Sequence, residues 1–359
     1  MLVDRPLRIE VLINSPGPHD QVRVRQPFVA MQALGIDCRI HERPFKFNDC
    51  IRPHSLVIWQ RPLPKSWENQ IAYLQWLRNR GCILLTEWDD HPELFPSWVQ
   101  EQLRASSMAP LVACHAIHSS GAPLASALRA WNPLVMNLEN GVDLIPRLET
   151  RKHLSKITRV FIGNQNRKRE HAELVRPLRS WLAENPNVIA VIVGDRNLAE
   201  RIGITAQIEL HPLLNYQEYR DTLKKCHIAL LPLQKGNPER CKTVIKWAEA
   251  SAESVAVVAG PELYPSISKN HRGETTCSIG VNTYDIVSKA RELSEEKDQR
   301  LQQIIRAHEW VKKDWGLDQL LPQRIDLYNS IWQKREKIDD LLRRRLFRQQ
   351  TSIGAGFLR

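Results

Sequence analysis

Residues 161–259 constrain the fold most, because they read as strand, helix, strand, helix, strand, helix, strand. The apolar runs 160–162, 188–193, 228–233 and 255–259 are short and bounded by Gly, Pro or Asn, as parallel strands buried on both faces are. Each is followed by a turn and a helical stretch. Chain patterned this way winds into an open parallel sheet, and such sheets take ligands beyond the carboxyl ends of their strands. Gly163-Asn164, Gly194-Asp195 and the loop 234–240 are expected at that edge.

The first half repeats the alternation, with strand candidates at 8–14, 37–41, 55–60, 82–86, 116–119 and 134–137 and helical patterns at 27–34, 66–80 and 123–131. Both halves together predict an α/β protein of two Rossmann-like, doubly wound domains facing across a cleft. The expected division is 1–150 for an acceptor-side domain, 151–315 for a donor domain, and 316–359 for a C-terminal helix able to cross back to the first domain, with a basic tail. In the tail segment 334–348, Ile338, Leu341, Leu342, Leu346 and Phe347 are interleaved with charge. A solvated terminal helix is the preferred reading of it, ahead of a helix lying on an anionic membrane surface.

Composition excludes several classes. The 359 residues are 42% hydrophobic and 25% charged, which suits a globular chain of two domains. Residues 1–30 hold no apolar run of signal-peptide length and no window is long enough to span a bilayer, so a soluble, cytoplasmic protein is expected. Seven cysteines without a C-x-x-C pair fit reduced thiols better than a disulfide framework or a zinc site. A net charge of +11 favours anionic partners, whether nucleotide phosphates, lipid headgroups or nucleic acid. Nucleic acid is not expected, because no basic stripe with interleaved aromatic residues is present.

The segment 237–249 should form one helix after the strand that ends near Leu233. Lys242, Lys246, Glu249 and Glu253 then share a stripe, with Val244, Ile245, Ala248 and Ala252 opposite. Two readings stand side by side. The stripe is a solvent-exposed face with Lys246 and Glu249 paired at i, i+3; or the helix N-terminus, Arg240 and Lys242 hold a diphosphate while Glu249 accepts hydrogen bonds from ribose hydroxyls.

The pattern Arg240-x-Lys242-x3-Lys246-x2-Glu249-Ala250-x-Ala252, followed by a strand, resembles the donor-site helix of retaining, family-4-like glycosyltransferases of the GT-B fold. Phe161-Ile162-Gly163-Asn164 with basic residues after it, Val193-Gly194-Asp195, the run 211–219 and the run 226–233 resemble the same family in the same order. The resemblance spans nearly the whole chain and is strongest in the second half. It implies a hexosyl- or related transferase of glycan biosynthesis that moves a sugar from a nucleotide-sugar donor to a glycan, lipid or other hydroxyl acceptor, with no cofactor and no metal. By it, Arg167 or Lys168 reaches the donor phosphates together with Lys242, so that positive charge grows in value as the sugar–phosphate bond breaks. Gly163, Asn164, Arg240, Lys246 and Glu249 belong to the same donor site, and Leu213 and Leu214 pack the base.

Two departures stand out. Cys241 occupies the place of the first glutamate of the family's E-x7-E, leaving Glu239 as the nearest acid, and Ser254 replaces the glycine that ends the helix, losing an easy left-handed cap. A subfamily variant explains both most simply; the alternative is a non-catalytic sugar-nucleotide or glycan-binding protein on a degenerate transferase fold.

In the first half, Asp89, Asp90 and His91 resemble in position the loop that faces the sugar in this family. Contact with acceptor or sugar ranks first for them, turn and helix capping second, and a divalent metal third. Gly17, in the loop after the first strand, stands where the family sets a glycine against the donor pyrophosphate. Nearby, Arg23 and Arg25 either point together at an anionic acceptor or pair with neighbouring acids, and Asn140-Gly141-Val142-Asp143 resembles the family's turn near the interdomain hinge.

Overall fold

The computed structural model describes residues 6–163, 168–233 and 235–356, and the side chains of 168, 169 and 350–356 lie outside it. The chain packs as two compact units. One runs to Asn140 and resumes at Leu320; the other is Gly141–Gln319.

The first unit is built on six parallel strands, β1 (Arg8–Ile13), β2 (Asp37–Glu42), β3 (Leu56–Gln60), β4 (Ile83–Trp88), β5 (Ala116–Ser119) and β6 (Val135–Asn137), in the order β2-β1-β3-β4-β5-β6. Helices Gln26–Ala33, Trp67–Asn79 and Ala122–Leu128 make crossovers. Every residue of β3 and β4 is buried, as a parallel sheet covered on both faces requires. Glu10 is fully buried within β1 and is tolerated there because His41 Nε2, at 2.9 Å, and Arg52 both engage its carboxylate.

The terminal segment is a helix, Arg335–Gly356, solvated along most of its described side chains as expected but docked by one face. Ile338 and Leu342 are buried, Arg78 donates to both oxygens of Asp339 at 2.5 and 3.1 Å, and Arg345 donates to the Val112 carbonyl at 3.1 Å and to Asn132 Oδ1 at 2.6 Å. Charge in this helix therefore works as attachment to the first unit. No helix among the described residues is long and apolar enough to cross a membrane.

The second unit holds β7 (Thr158–Gly163), β8 (Val188–Val193), β9 (Ile208–His211), β10 (Ile228–Leu231), β11 (Ala256–Ala259) and β12 (Ser278–Ile279), all parallel, in the order β12-β11-β10-β7-β8-β9. Side chains alternate between two cores. Phe161, Val191, Ala229 and Leu231 face the cluster around Trp247, whereas Val160, Ile162, Ile192 and Leu230 face the cluster around Trp181. The polypeptide 141–157 joins this unit through backbone and side-chain bonds, among them Glu149 N–H to Ser254 Oγ at 3.0 Å and Lys152 Nζ to the Glu253 carbonyl at 2.8 Å.

Two local expectations are corrected. The helix foreseen across 237–249 is two helices, Asn237–Arg240 and Ile245–Ala252. Cys241 and Lys242 donate N–H groups back to Pro238 and Glu239 in tightened three-residue turns, and the break lets Cys241 and Val244 both turn into the core. Ser254 does not lose the left-handed cap but adopts it, with φ 56°; its N–H meets the Ser251 carbonyl at 3.1 Å and Val255 N–H meets that of Ala250 at 2.9 Å.

Candidate functional site

In each sheet the strand order reverses beside the first strand, between β7 and β10 in the second unit and between β1 and β3 in the first. The carboxyl ends at those reversals are where an open α/β sheet opens a crevice.

At the second unit's edge, Gly163 ends β7 directly under the Phe161 ring, where an added Cβ would lie 2.2 Å from a ring carbon. Asp195 follows β8; it caps the helix Arg196–Ile202 by accepting Leu198 N–H at 3.0 Å, and its other oxygen lies 2.8 Å from His171 Nδ1. The polar stripe of the helix Ile245–Ala252 does not face solvent, as its simplest reading had it: Glu249 and Glu253 are buried. Tyr219, on the helix Tyr216–Leu223, donates its hydroxyl to Glu249 Oε2 at 3.1 Å, and Lys246 Nζ sits 5.6 Å from the centre of the Tyr219 ring. Arg220 binds Glu253 Oε1 through Nε and Nη2 at 2.9 and 2.6 Å. Burial pushes the Glu249 carboxyl up, and Arg220 and Lys246 oppose that shift.

Other donor-side candidates separate from this group or lie outside it. Arg240 is exposed and pairs with Glu262, and Cys241 is buried with Sγ 3.6 Å from the Asn237 carbonyl. Glu239 folds its carboxylate over Gly236. Lys242 is half-buried in the break between the two helices. Leu213 is exposed and Leu214 packs against the Trp247 core, both just ahead of the Tyr219 helix. Asn164 and Arg167 lie outside the described residues; Lys168 opens the helix Lys168–Glu184, and its side chain is likewise outside them.

At the first unit's edge the structure gathers a buried cluster of charge. Arg23 Nη2 lies 2.7 Å from Glu87 Oε2 and also pairs with Asp89, while Arg61 Nε donates to Asp89 Oδ1 at 2.6 Å and approaches Asp90 at 3.9 Å. Arg324 donates to the Glu139 carbonyl at 3.0 Å and stands beside Glu87 and His118. Burial raises the Glu87 carboxyl against Arg23, Arg61 and Arg324, and burial with the charges of Arg61 and Arg23 drives His19 down to about 3, keeping it neutral at physiological pH. Sequence reading passed over Glu87, Arg61 and Arg324; their pairings span tens to hundreds of residues and leave no local spacing to find.

Asp89, Asp90 and His91 therefore have different surroundings. Asp89 is bound by two guanidinium groups, Asp90 is half-buried beside Arg61, and His91 caps the turn Pro92–Leu94 by accepting Glu93 N–H at 3.3 Å. Among the described residues no three His, Cys, Asp or Glu side chains converge as metal ligands would. Gly17 precedes the turn Pro18–Asp20, with Asp20 Oδ2 accepting its N–H at 3.2 Å. Arg23 and Arg25 do not point together: they lie on a π-helical turn, Gln21–Arg25, which sends Arg23 inward and leaves Arg25 to pair with Asp20 at 3.1 Å and Glu42 at 2.5 Å.

No protein-family model matches the chain, and no curated protein matches it in sequence. Solved structures do match it in three dimensions. HepE of Anabaena in complex with UDP-glucose aligns with a TM-score of 0.64 at 13% identity, covering 90% of this chain and 100% of that one. Sucrose-phosphate synthase of Thermosynechococcus elongatus aligns with a TM-score of 0.67 at 12% identity, covering 90% and 99%. An α-glucosyltransferase in complex with UDP-glucose and DNA containing an abasic site aligns with a TM-score of 0.63 at 10% identity, covering 90% and 100%. Likeness over the full length of these proteins, at such low identity, shows a shared fold: two doubly wound α/β domains of the GT-B type.

Proposed function

We propose that the chain is a glycosyltransferase, hexosyl or related, that moves a sugar from a nucleoside-diphosphate sugar onto a hydroxyl of a glycan, lipid or other acceptor, with the anomeric configuration retained. The observation that carries this reading is the Lys246–Tyr219–Glu249 group at the carboxyl edge of the second sheet, on a fold shared along its length with proteins held in complex with UDP-glucose. In the reaction, the anomeric C–O bond to the β-phosphate breaks and the diphosphate leaves with the electron pair. The acceptor oxygen forms the new bond to that carbon and its proton passes to the departing phosphate. Lys242, with Arg167 or Lys168, supplies the positive charge that favours this separation, so neither a metal nor a cofactor is needed. Glu249 takes the ribose hydroxyls, and Leu213 and Leu214 take the base.

On the first unit Asp89, Asp90 and His91 are the proposed contacts to acceptor or sugar, with Asp90 half-buried beside Arg61. We place the protein in the cytoplasm, with Arg343 and Arg344 of the terminal helix, exposed though paired with Asp339 and Asp340, turned to an anionic membrane surface. Thermal unfolding with UDP, GDP and their sugars tests the donor. One of the diphosphates is expected to raise the melting temperature, and Lys242→Ala to abolish the shift while leaving the unliganded protein folded. An unaltered shift in that variant removes the lysine from the site; binding without turnover on any acceptor favours the non-catalytic alternative.

A further inference from the structure

No role attaches to Tyr219 in the sequence, yet its side chain joins the elements on which the donor reading rests. Its helix begins at once after Leu213-Leu214 and is fixed by reciprocal bonds between Asn215 and Glu218, each 3.0 Å. From the first turn Tyr219 sets its ring edge-on to Phe161 of β7, 5.7 Å between centroids, lies under the Lys246 ammonium, and reaches Glu249 with its hydroxyl. We infer that Tyr219 is a positioning residue that fixes the Glu249 carboxylate for the ribose diol of the donor and thereby sets a preference for ribonucleotides over deoxyribonucleotides.

Two acids one turn apart on the same helix are treated differently. Glu253 is bound through two nitrogens of Arg220 and is committed to them. Glu249 is met by phenols, Tyr219 and Tyr216, the latter's oxygen accepting from Arg220 Nη1 at 3.2 Å, with the charges of Arg220 and Lys246 nearby. A carboxylate offers about four acceptor positions, more than two phenols fill, and a vicinal diol brings two O–H donors to it. Without the phenols the terminal torsion of a glutamate is soft and its oxygens are not held in one place. Burial also drives the Tyr219 hydroxyl well above its ordinary ionisation range, so it remains a donor at any working pH.

This inference rests on the donor reading, and the experiment separates the two. Dissociation constants of UDP, GDP and their 2′-deoxy and 3′-deoxy forms are measured by calorimetry for the wild type and for Tyr219→Phe, which keeps the ring and removes only the hydroxyl. The wild type is expected to bind the ribonucleotide about tenfold or more tightly than its deoxy forms. Tyr219→Phe, with an unchanged melting temperature, is expected to bind all three alike, near the deoxy level. If the variant keeps the wild-type preference, or if the wild type has none, the assignment of Tyr219 is overturned while the donor reading stands. If neither diphosphate binds the wild type, both fall. Should Tyr219→Phe not fold, Tyr219→Met, which also removes the hydroxyl, gives the same decision: loss of the preference supports the assignment and its retention overturns it.

Discussion

Ser254 carries a left-handed backbone on a residue with a side chain, and two distant groups hold it there. Its Oγ accepts Glu149 N–H at 3.0 Å and its carbonyl lies 2.9 Å from His153 Nε2. The conformation costs an L-residue about 1–2 kcal/mol and the Oγ bond returns about 1 kcal/mol. Ser254→Gly removes both and should leave stability within about 1 kcal/mol of wild type, whereas Ser254→Ala removes the bond and keeps the strain. Alanine is therefore expected to be the more damaging of the two in urea unfolding; the reverse order would refute the backbone argument. From the sequence only the missing glycine was visible, because the chain that steadies the serine lies about a hundred residues away.

Gly260, at the end of β11, shows the same dependence between elements. An added Cβ would stand 2.6 Å from the Leu233 carbonyl oxygen and 2.8 Å from its nitrogen, backbone atoms of the loop leaving β10 that cannot turn aside. Gly260→Ala should cost roughly 1–3 kcal/mol in chemical denaturation. Gly121→Ala, with its nearest neighbour at 3.9 Å, is the control expected to lose no more than about 1 kcal/mol, the cost of alanine at a helix N-cap. Strands such as β8 were legible in the sequence because all six of its residues are apolar and turns bound it; β9, with Glu209 and His211 in a partly exposed edge, and the two-residue β12 were not. The periodicity around Lys246 and Glu249 located their stripe but could not show that Tyr219 and Arg220 cover it, since helical spacing records which residues share a face and not what packs on that face. The break at 241–244 escaped for a related reason: it follows from where Cys241 and Val244 must point, a demand of tertiary packing.

At the scale of the molecule, several histidines are buried in neutral form. Burial lowers His227 to about 4 and His153 to about 3, with Lys152 and Arg300 near both adding to the shift, and His19 also falls to about 3. His227 Nδ1 accepts Arg159 N–H at 3.0 Å, a bond that protonation destroys. A folded value below the unfolded one of about 6.5 means that the unfolded chain binds the extra protons. Stability is thus complete above about pH 6.5 and falls as pH drops toward 4 and 3, by up to about 1.4 kcal/mol per pH unit for each histidine. Urea unfolding followed from pH 7.5 to 4 should show this slope, and His227→Gln should make it shallower by the share of one histidine; a flat profile in the wild type would contradict the neutral assignments. The anchoring of Asp339 and Arg345 onto Arg78, Val112 and Asn132 bears on how the molecule comes into being. A unit whose supports are encoded more than two hundred positions after the segments they brace cannot be completed until those positions have been made; the second unit, encoded in one uninterrupted stretch between them, is free to mature first.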